Sequence, residues 1–194
     1  MKAHLRSFAF AVGIAGLLAS VAVSAAAATA TSNIATVALN ASLNESLTVT
    51  VSSGTNINFT LAPNTVANNG SATSTITTSW SLKPGRNNIA VWAYFTSATA
   101  ALNPVTAGNT FTIPSAAVKI QVNGAGAFNP CSNVSPFNAA ASGLQIGTTS
   151  ITGNTNVNGT RTDTLNYQID TTVVPQLPAD TYTGVLNIQA QATP

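Results

Sequence analysis

The amino-acid sequence predicts an all-β protein that folds as a single antiparallel β-sandwich. Apolar and polar side chains alternate with a period of two along most of the chain beyond residue 28, which is typical of strands with one face on a core. Many of these positions hold valine, isoleucine or threonine, whose branched side chains favour strands. Short strands separated by turn residues indicate a sandwich or a barrel, and the sandwich is the architecture we predict.

Seven stretches carry this strand pattern. In chain order they are residues 47–51, 57–61, 71–82, 89–95, 118–122, 165–169 and 182–189. Residues 89–95 are apolar at both odd-numbered and even-numbered positions (the two parities), which predicts a central strand covered on both faces. Residues 124–143 are the longest piece predicted to be irregular.

Turn residues suggest how neighbouring strands connect. Pro84 followed by Gly85 fits a type II turn, which predicts a hairpin between residues 80–82 and 89–95. The Asn-Gly pair at 123–124 is a strong hairpin signal after the strand that precedes it.

The N-terminal segment has the features of a cleaved secretory signal peptide. Lys2 and Arg6 precede an apolar run at residues 8–23, and small residues follow it. The apolar run is shorter than the roughly 20 residues that a bilayer span needs. We therefore expect residues 1–28 to be a signal peptide and residues 29–194 to be one domain. The predicted location is extracellular or at the cell surface, with the periplasm as an alternative.

The charge pattern limits the classes of partner and of reaction. The chain has six basic residues, four acidic residues and one histidine. Without Lys2, His4 and Arg6, four bases and four acids remain, and no histidine. No basic stripe predicts nucleic-acid binding, and no second apolar run predicts a membrane span in the mature chain. An almost uncharged surface suits either an assembly subunit or an ordinary extracellular domain.

The remaining ionisable residues predict no catalytic, metal or cofactor site. Asp163 and Asp170 lie seven apart on one predicted strand, so their side chains face opposite ways. Arg161 and Asp163 share a face, which predicts a surface ion pair. Zinc and calcium sites need clustered ligands that the sequence lacks. We therefore predict that the protein is not an enzyme.

Three residues stand out as candidates for interaction. Cys131 is the only cysteine and is predicted to form either an interchain disulfide or, as we favour, a buried inert thiol. Trp92 and Tyr94 lie two apart and share a face, where they would form a platform for a ligand such as a sugar. Because tryptophan on a central strand usually belongs to the core, we favour a core position for Trp92.

The C-terminal stretch Leu-Pro-Ala-Asp-Thr-Tyr-Thr-Gly-Val-Leu-Asn-Ile, residues 177–188, is the part most similar to a known family. It resembles the closing strand of bacterial extracellular immunoglobulin-like domains and the end of spore-coat-U and fimbrial-type subunits. Pro178 and Asp180 predict a tight turn, and the hydroxyl of Tyr182 can bond to nearby backbone. The resemblance implies a sandwich of the immunoglobulin-like type.

Fimbrial subunits complete one another by strand addition, and residues 34–43 have apolar side chains at alternate positions. This segment would be a donor strand for another subunit or, as we favour, the first strand of its own sandwich. The predicted function is a secreted, non-enzymatic structural or surface-interaction protein, such as a fimbrial or cell-surface matrix subunit. The alternative is a carbohydrate-binding module. The corresponding partners are other surface subunits, including copies of itself, or polysaccharide.

Overall fold

A computed structural model describes residues 30–132, 137 and 143–194. The predicted signal peptide, residues 1–28, lies outside the described residues. The chain divides into two units, Met1–Ala41 and Ser42–Pro194. In the first unit, residues 30–41 form no strand or helix, and their side chains are exposed.

The second unit is all-β. Its strands are β1 (Ser46–Ser53), β2 (Asn68–Asn69), β3 (Ser74–Ser81), β4 (Asn88–Tyr94), β5 (Asn103–Pro104), β6 (Val118–Val122), β7 (Ala125–Pro130), β8 (Leu144–Ser150), β9 (Asn158–Ile169), β10 (Tyr182–Thr183) and β11 (Asn187–Thr193). Two single turns of 3₁₀-helix occur at Ser115–Ala117 and Thr171–Val173. Within the described residues, no helix has the length and apolar character needed to cross a bilayer.

All strands pair antiparallel, and they form two main sheets. The first sheet has the order β1-β3-β9-β6-β7, with β2 also on β9. The second has the order β11-β4-β8, so β4 is a central strand as predicted. A small separate pair joins β10 to β5. The architecture is therefore the predicted all-β antiparallel sandwich.

The core lies between the two sheets because each strand turns its apolar parity inward. Ile76 of β3 and Leu165 of β9 are fully buried from the first sheet, and Val91 and Ala93 of β4 meet them from the second. A smaller cluster around Trp80 and Ile89 fills one end. Burying an aliphatic side chain of this size contributes about 1.5–3 kcal/mol, so this core stabilises the sandwich without a disulfide.

The Asn-Gly hairpin is confirmed. Val122 pairs with Ala125 across the turn, and the two turn residues have φ of 54° and 64°. Two positive φ values define the type I′ turn, whose twist matches that of paired strands. The pair therefore joins β6 to β7 as a local unit.

The predicted hairpin around Pro84 and Gly85 is wrong. Gly85 has the positive φ of 96° that a type II turn requires, but β3 and β4 belong to different sheets. The backbone N–H of Leu82 donates to Val157, and that of Asn87 donates to Thr193. The turn therefore carries the chain from one sheet to the other, because each side of it finds a different partner.

Three other strand predictions need correction. Residues 57–61 form only an isolated bridge, between Phe59 and Gly70. Residues 182–189 divide into β10 and β11, because the first part pairs with β5 and the second with β4. The stretch 124–143 is not wholly irregular, since it contains β7. That strand consists largely of small residues without alternation, so the pattern gave no signal for it.

The preferred interpretation of residues 34–43 as the first strand is also wrong. Residues 30–45 contain no strand, and the first strand begins at Ser46. The strand at the edge of the first sheet, next to β3, is β1 (Ser46–Ser53).

Candidate functional site

The four acidic residues all have local structural partners. Three of them form ion pairs: Arg86 with Glu45, Lys119 with Asp170 and Arg161 with Asp163. The fourth, Asp180, accepts hydrogen bonds from Thr106 and from Asn109. The described residues contain no group of three or more histidine, cysteine or acidic side chains that would suit a metal ion.

The pair of Arg161 and Asp163 exists, but its predicted surface position is wrong. Asp163 is only 1% exposed and also accepts a hydrogen bond of 3.0 Å from the side-chain amide of Asn123. The guanidinium of Arg161 reaches the backbone oxygen of Thr148 on β8. The buried carboxylate of Asp163 is therefore held by Arg161, whose side chain is 30% exposed and connects the two sheets.

Asp170 and Asp180 hold turns in place. Asp170 accepts from the backbone and hydroxyl of Thr172, which caps the second 3₁₀ turn. Its hydrogen bond with Lys119 holds the pKa of Asp170 below its usual value. Asp180 accepts from the backbone of Thr181, and its pKa is lowered chiefly by the hydrogen bond from Asn109. These carboxylates are therefore used for structure.

Cys131 lies in the core. Its side chain is fully buried, and its backbone N–H donates to Val118. Burial raises the pKa of the thiol to about 12, so almost none is thiolate at neutral pH. This environment favours the inert thiol over an interchain disulfide.

A groove of about 530 Å³ runs along one flank of the sandwich. Apolar core side chains line its floor: Ile76, Phe95, Val118, Tyr167 and Ile169. One rim is formed by residues 54–61, which follow β1, and the other by residues 181–186, which precede β11. We call this feature the flank groove. These floor side chains expose only 0–8% of their surfaces, because rim side chains such as Ile57 and Leu186 pack against the core.

The two rims leave backbone groups without strand partners. Residues 55–57 and 184–186 make no backbone–backbone hydrogen bond to any described residue. On its other side, the first rim is held by a hydrogen bond from the backbone N–H of Ser71 to the carbonyl of Asn58. Valine side chains at the mouth are exposed, by 42% at Val51 and 73% at Val185. An extended chain lying in the groove would meet both apolar side chains and unpaired backbone.

The N-terminal segment has the complementary character. Ile34, Val37, Leu39 and Leu43 expose 83–90% of their surfaces, and Val37, Leu39 and Leu43 share one parity. Four large apolar side chains are therefore exposed within ten residues that form no strand or helix. We call residues 34–43 the apolar segment.

The aromatic residues occupy two different environments. Trp80 is a core residue, and its indole N–H donates to the backbone oxygen of Asn156 at 2.7 Å. Trp92 and Tyr94 alternate with the buried Val91 and Ala93 and are themselves only half-buried. The favoured core position for Trp92 is therefore wrong, because the residues of β4 that face the core are the alternate ones, such as Val91 and Ala93.

Tyr182 bonds to backbone as predicted: its hydroxyl donates to the carbonyl of Pro178 at 2.9 Å.

No protein-family model, curated protein or solved structure matches this chain. The functional argument therefore rests on the groove, the apolar segment and the aromatic residues.

Proposed function

We propose that the protein is a secreted, non-enzymatic structural protein of the cell surface, a fimbrial-type or matrix subunit. The proposal is that copies assemble by strand insertion. The apolar segment of one copy lies in the flank groove of the next. The observation that carries this proposal is the combination, on one chain, of a groove whose rims have unpaired backbone groups and an exposed segment with alternating apolar side chains.

The apolar segment is long enough to run beside the longer rim. Ten residues in an extended strand span about 33 Å, and residues 54–61, the longer rim, would span roughly 26 Å as an extended chain. A strand between the rims directs alternate side chains to the core floor. Val37, Leu39 and Leu43 share the parity that would do so. Each such side chain contributes about 1.5–3 kcal/mol when it leaves water.

The backbone supports the same arrangement. Strand addition to a sheet edge supplies main-chain hydrogen bonds, and pockets for alternate side chains give selectivity. Residues 55–57 and 184–186 provide unpaired groups on opposite rims. An inserted strand would hydrogen-bond to one or both of them and cover the apolar floor.

The same arrangement explains why assembly would continue beyond a dimer. The segment and the groove are different surfaces, so their contact is heterologous and leaves a free segment and a free groove at the two ends. The nearly balanced charges remaining after removal of residues 1–28 oppose such contact only weakly. An open chain of subunits is the expected product.

The test compares two substitutions in the apolar segment of the secreted protein. Leu39→Asp places a charge on the parity assigned to the groove floor, and Ala38→Asp places the same charge on the opposite parity. We expect the wild type and Ala38→Asp to form a ladder of oligomers in gel filtration and in unheated denaturing gels. Leu39→Asp should be monomeric. A monomeric wild type at high concentration, or equal behaviour of the two variants, would overturn the proposal.

A further inference from the structure

The outer face of the second sheet carries a pair of aromatic rings that the proposed strand insertion does not involve. Trp92 and Tyr94 are two residues apart on β4, the central strand, so their Cα atoms are about 6.6–6.8 Å apart along it. Both side chains are half-buried, although the strand's other parity is in the core. Pairing with β11 and β8 on either side holds the backbone of this strand rigid.

Amide side chains flank the two rings. Gln189 of β11 and Gln145 of β8 are the cross-strand partners of Trp92 on its two sides, and both are exposed. Asn187 is the partner of Tyr94. The hydroxyl of Tyr94 donates to the side-chain oxygen of Gln189 at 3.3 Å, which helps to orient that amide. A row of amide, indole and amide therefore crosses the sheet.

The face lacks charge. The three strands β4, β8 and β11 contain no aspartate, glutamate, lysine or arginine. A nucleic acid or an acidic polymer would need cations there, whereas a neutral ligand needs hydrogen-bonding groups and an apolar surface. Amides both donate and accept hydrogen bonds, so they suit a ligand rich in hydroxyl groups.

We propose that this face binds a neutral polysaccharide. The C–H face of a pyranose ring is slightly positive and packs on the negative face of an aromatic ring. The hydroxyl groups at the edge of the sugar then exchange hydrogen bonds with Gln145, Gln189 and Asn187. Two rings along one strand favour an extended chain over a single sugar, because successive residues can contact successive rings. The ligand class is therefore a neutral glycan polymer.

The test uses affinity electrophoresis and pull-down with a panel of neutral polysaccharides: cellulose, chitin, a mixed-linkage β-glucan, xylan and an α-glucan. We expect at least one to bind the wild type saturably. Trp92→Ala should weaken that binding by about tenfold or more, as expected when a stacked ring is lost. Trp92→Phe, which keeps a ring, should retain part of it. Gln191→Ala is the matched control, because Gln191 is exposed on the same face of β11 but lies opposite Ala90.

Each outcome decides the proposal. Binding that is lost with Trp92→Ala and kept with Gln191→Ala supports it. No binding to any member of the panel overturns it, and so does equal binding by Trp92→Ala and wild type. The proposal is also wrong if this face serves only in contact between copies. Running the assay also on Leu39→Asp separates sugar binding from assembly, because that variant keeps the aromatic face unchanged.

Discussion

The carboxylate of Asp163 accepts two hydrogen bonds of 2.7 Å from the guanidinium of Arg161, two residues before it on the same strand. Both side chains point inward, and Arg161 continues to the backbone of Thr148 in the opposite sheet. Asp163 is almost completely buried. The pair is therefore a polar connection between the two sheets, within a core that is mostly apolar.

Replacing Arg161 by methionine should destabilise the fold strongly. The substitution leaves the buried carboxylate without its cation, and losing one partner of a buried pair costs about 3–5 kcal/mol. Urea unfolding monitored by tryptophan fluorescence measures the loss. Arg86→Met is the control, because its partner Glu45 is 27% exposed whereas Asp163 is 1% exposed, and a pair between partly exposed groups should matter little. Equal unfolding midpoints for the two variants would contradict this assignment.

Replacing Thr78 by valine should stabilise the protein. Its hydroxyl is buried and has no hydrogen-bond partner among the described residues, and an unsatisfied buried polar group costs about 1–3 kcal/mol. Valine has nearly the same shape without the hydroxyl. Thr77→Val, on the half-buried opposite face of the same strand, should change the melting temperature much less. A lower melting temperature for Thr78→Val would show that the hydroxyl is satisfied.

Stability should fall in acid. The pKa of Asp170 is below its usual value because of Lys119 and Thr172. A carboxyl group with a depressed folded-state pKa contributes stability that is fully present above its unfolded pKa, about 3.9, and is lost as pH falls through the lower folded pKa. Melting temperature measured from pH 7 to 2 should therefore drop below about pH 4. Asp170→Asn should be less stable at pH 7 and show a smaller drop, whereas an unchanged slope would exclude this contribution.

Gly54, at the start of the first rim, should not tolerate alanine. It has a φ of 65°, and an added Cβ would overlap the backbone oxygen of Thr73. Gly153 is the control, because it also has a positive φ, of 58°, but open space around it. Gly153→Ala should cost about 1–2 kcal/mol from backbone strain alone, and Gly54→Ala clearly more. Equal costs would mean that the rim moves to accept the side chain.

Cys131 should be unreactive in the folded protein. Its thiol is buried and its pKa is raised to about 12, so an aromatic disulfide reagent at pH 8 should modify it only after unfolding in urea. Rapid reaction without denaturant, or a dimer band in non-reducing gels that Cys131→Ser removes, would contradict the core position.

Several local features could be predicted from the sequence because their causes are local. Alternation identified strands at residues 47–51, 118–122 and 165–169. The Asn-Gly pair identified a hairpin, because it joins two strands adjacent in the sequence. The bond from the Tyr182 hydroxyl to Pro178 spans only four residues. In each case the relevant partners are close together in the chain.

The sequence by itself determined the all-β class, most strand positions, one turn type and which side chains share a face. Only the tertiary structure decided which face is buried and which strands are partners. It placed Trp92 on the outer face of its sheet and Asp163 inside, separated β3 from β4, and formed the flank groove between residues 54–61 and 181–186. The physical reason is that alternation divides side chains into two sets without assigning either to the core. That assignment depends on contacts between residues far apart in the chain, which no local pattern records.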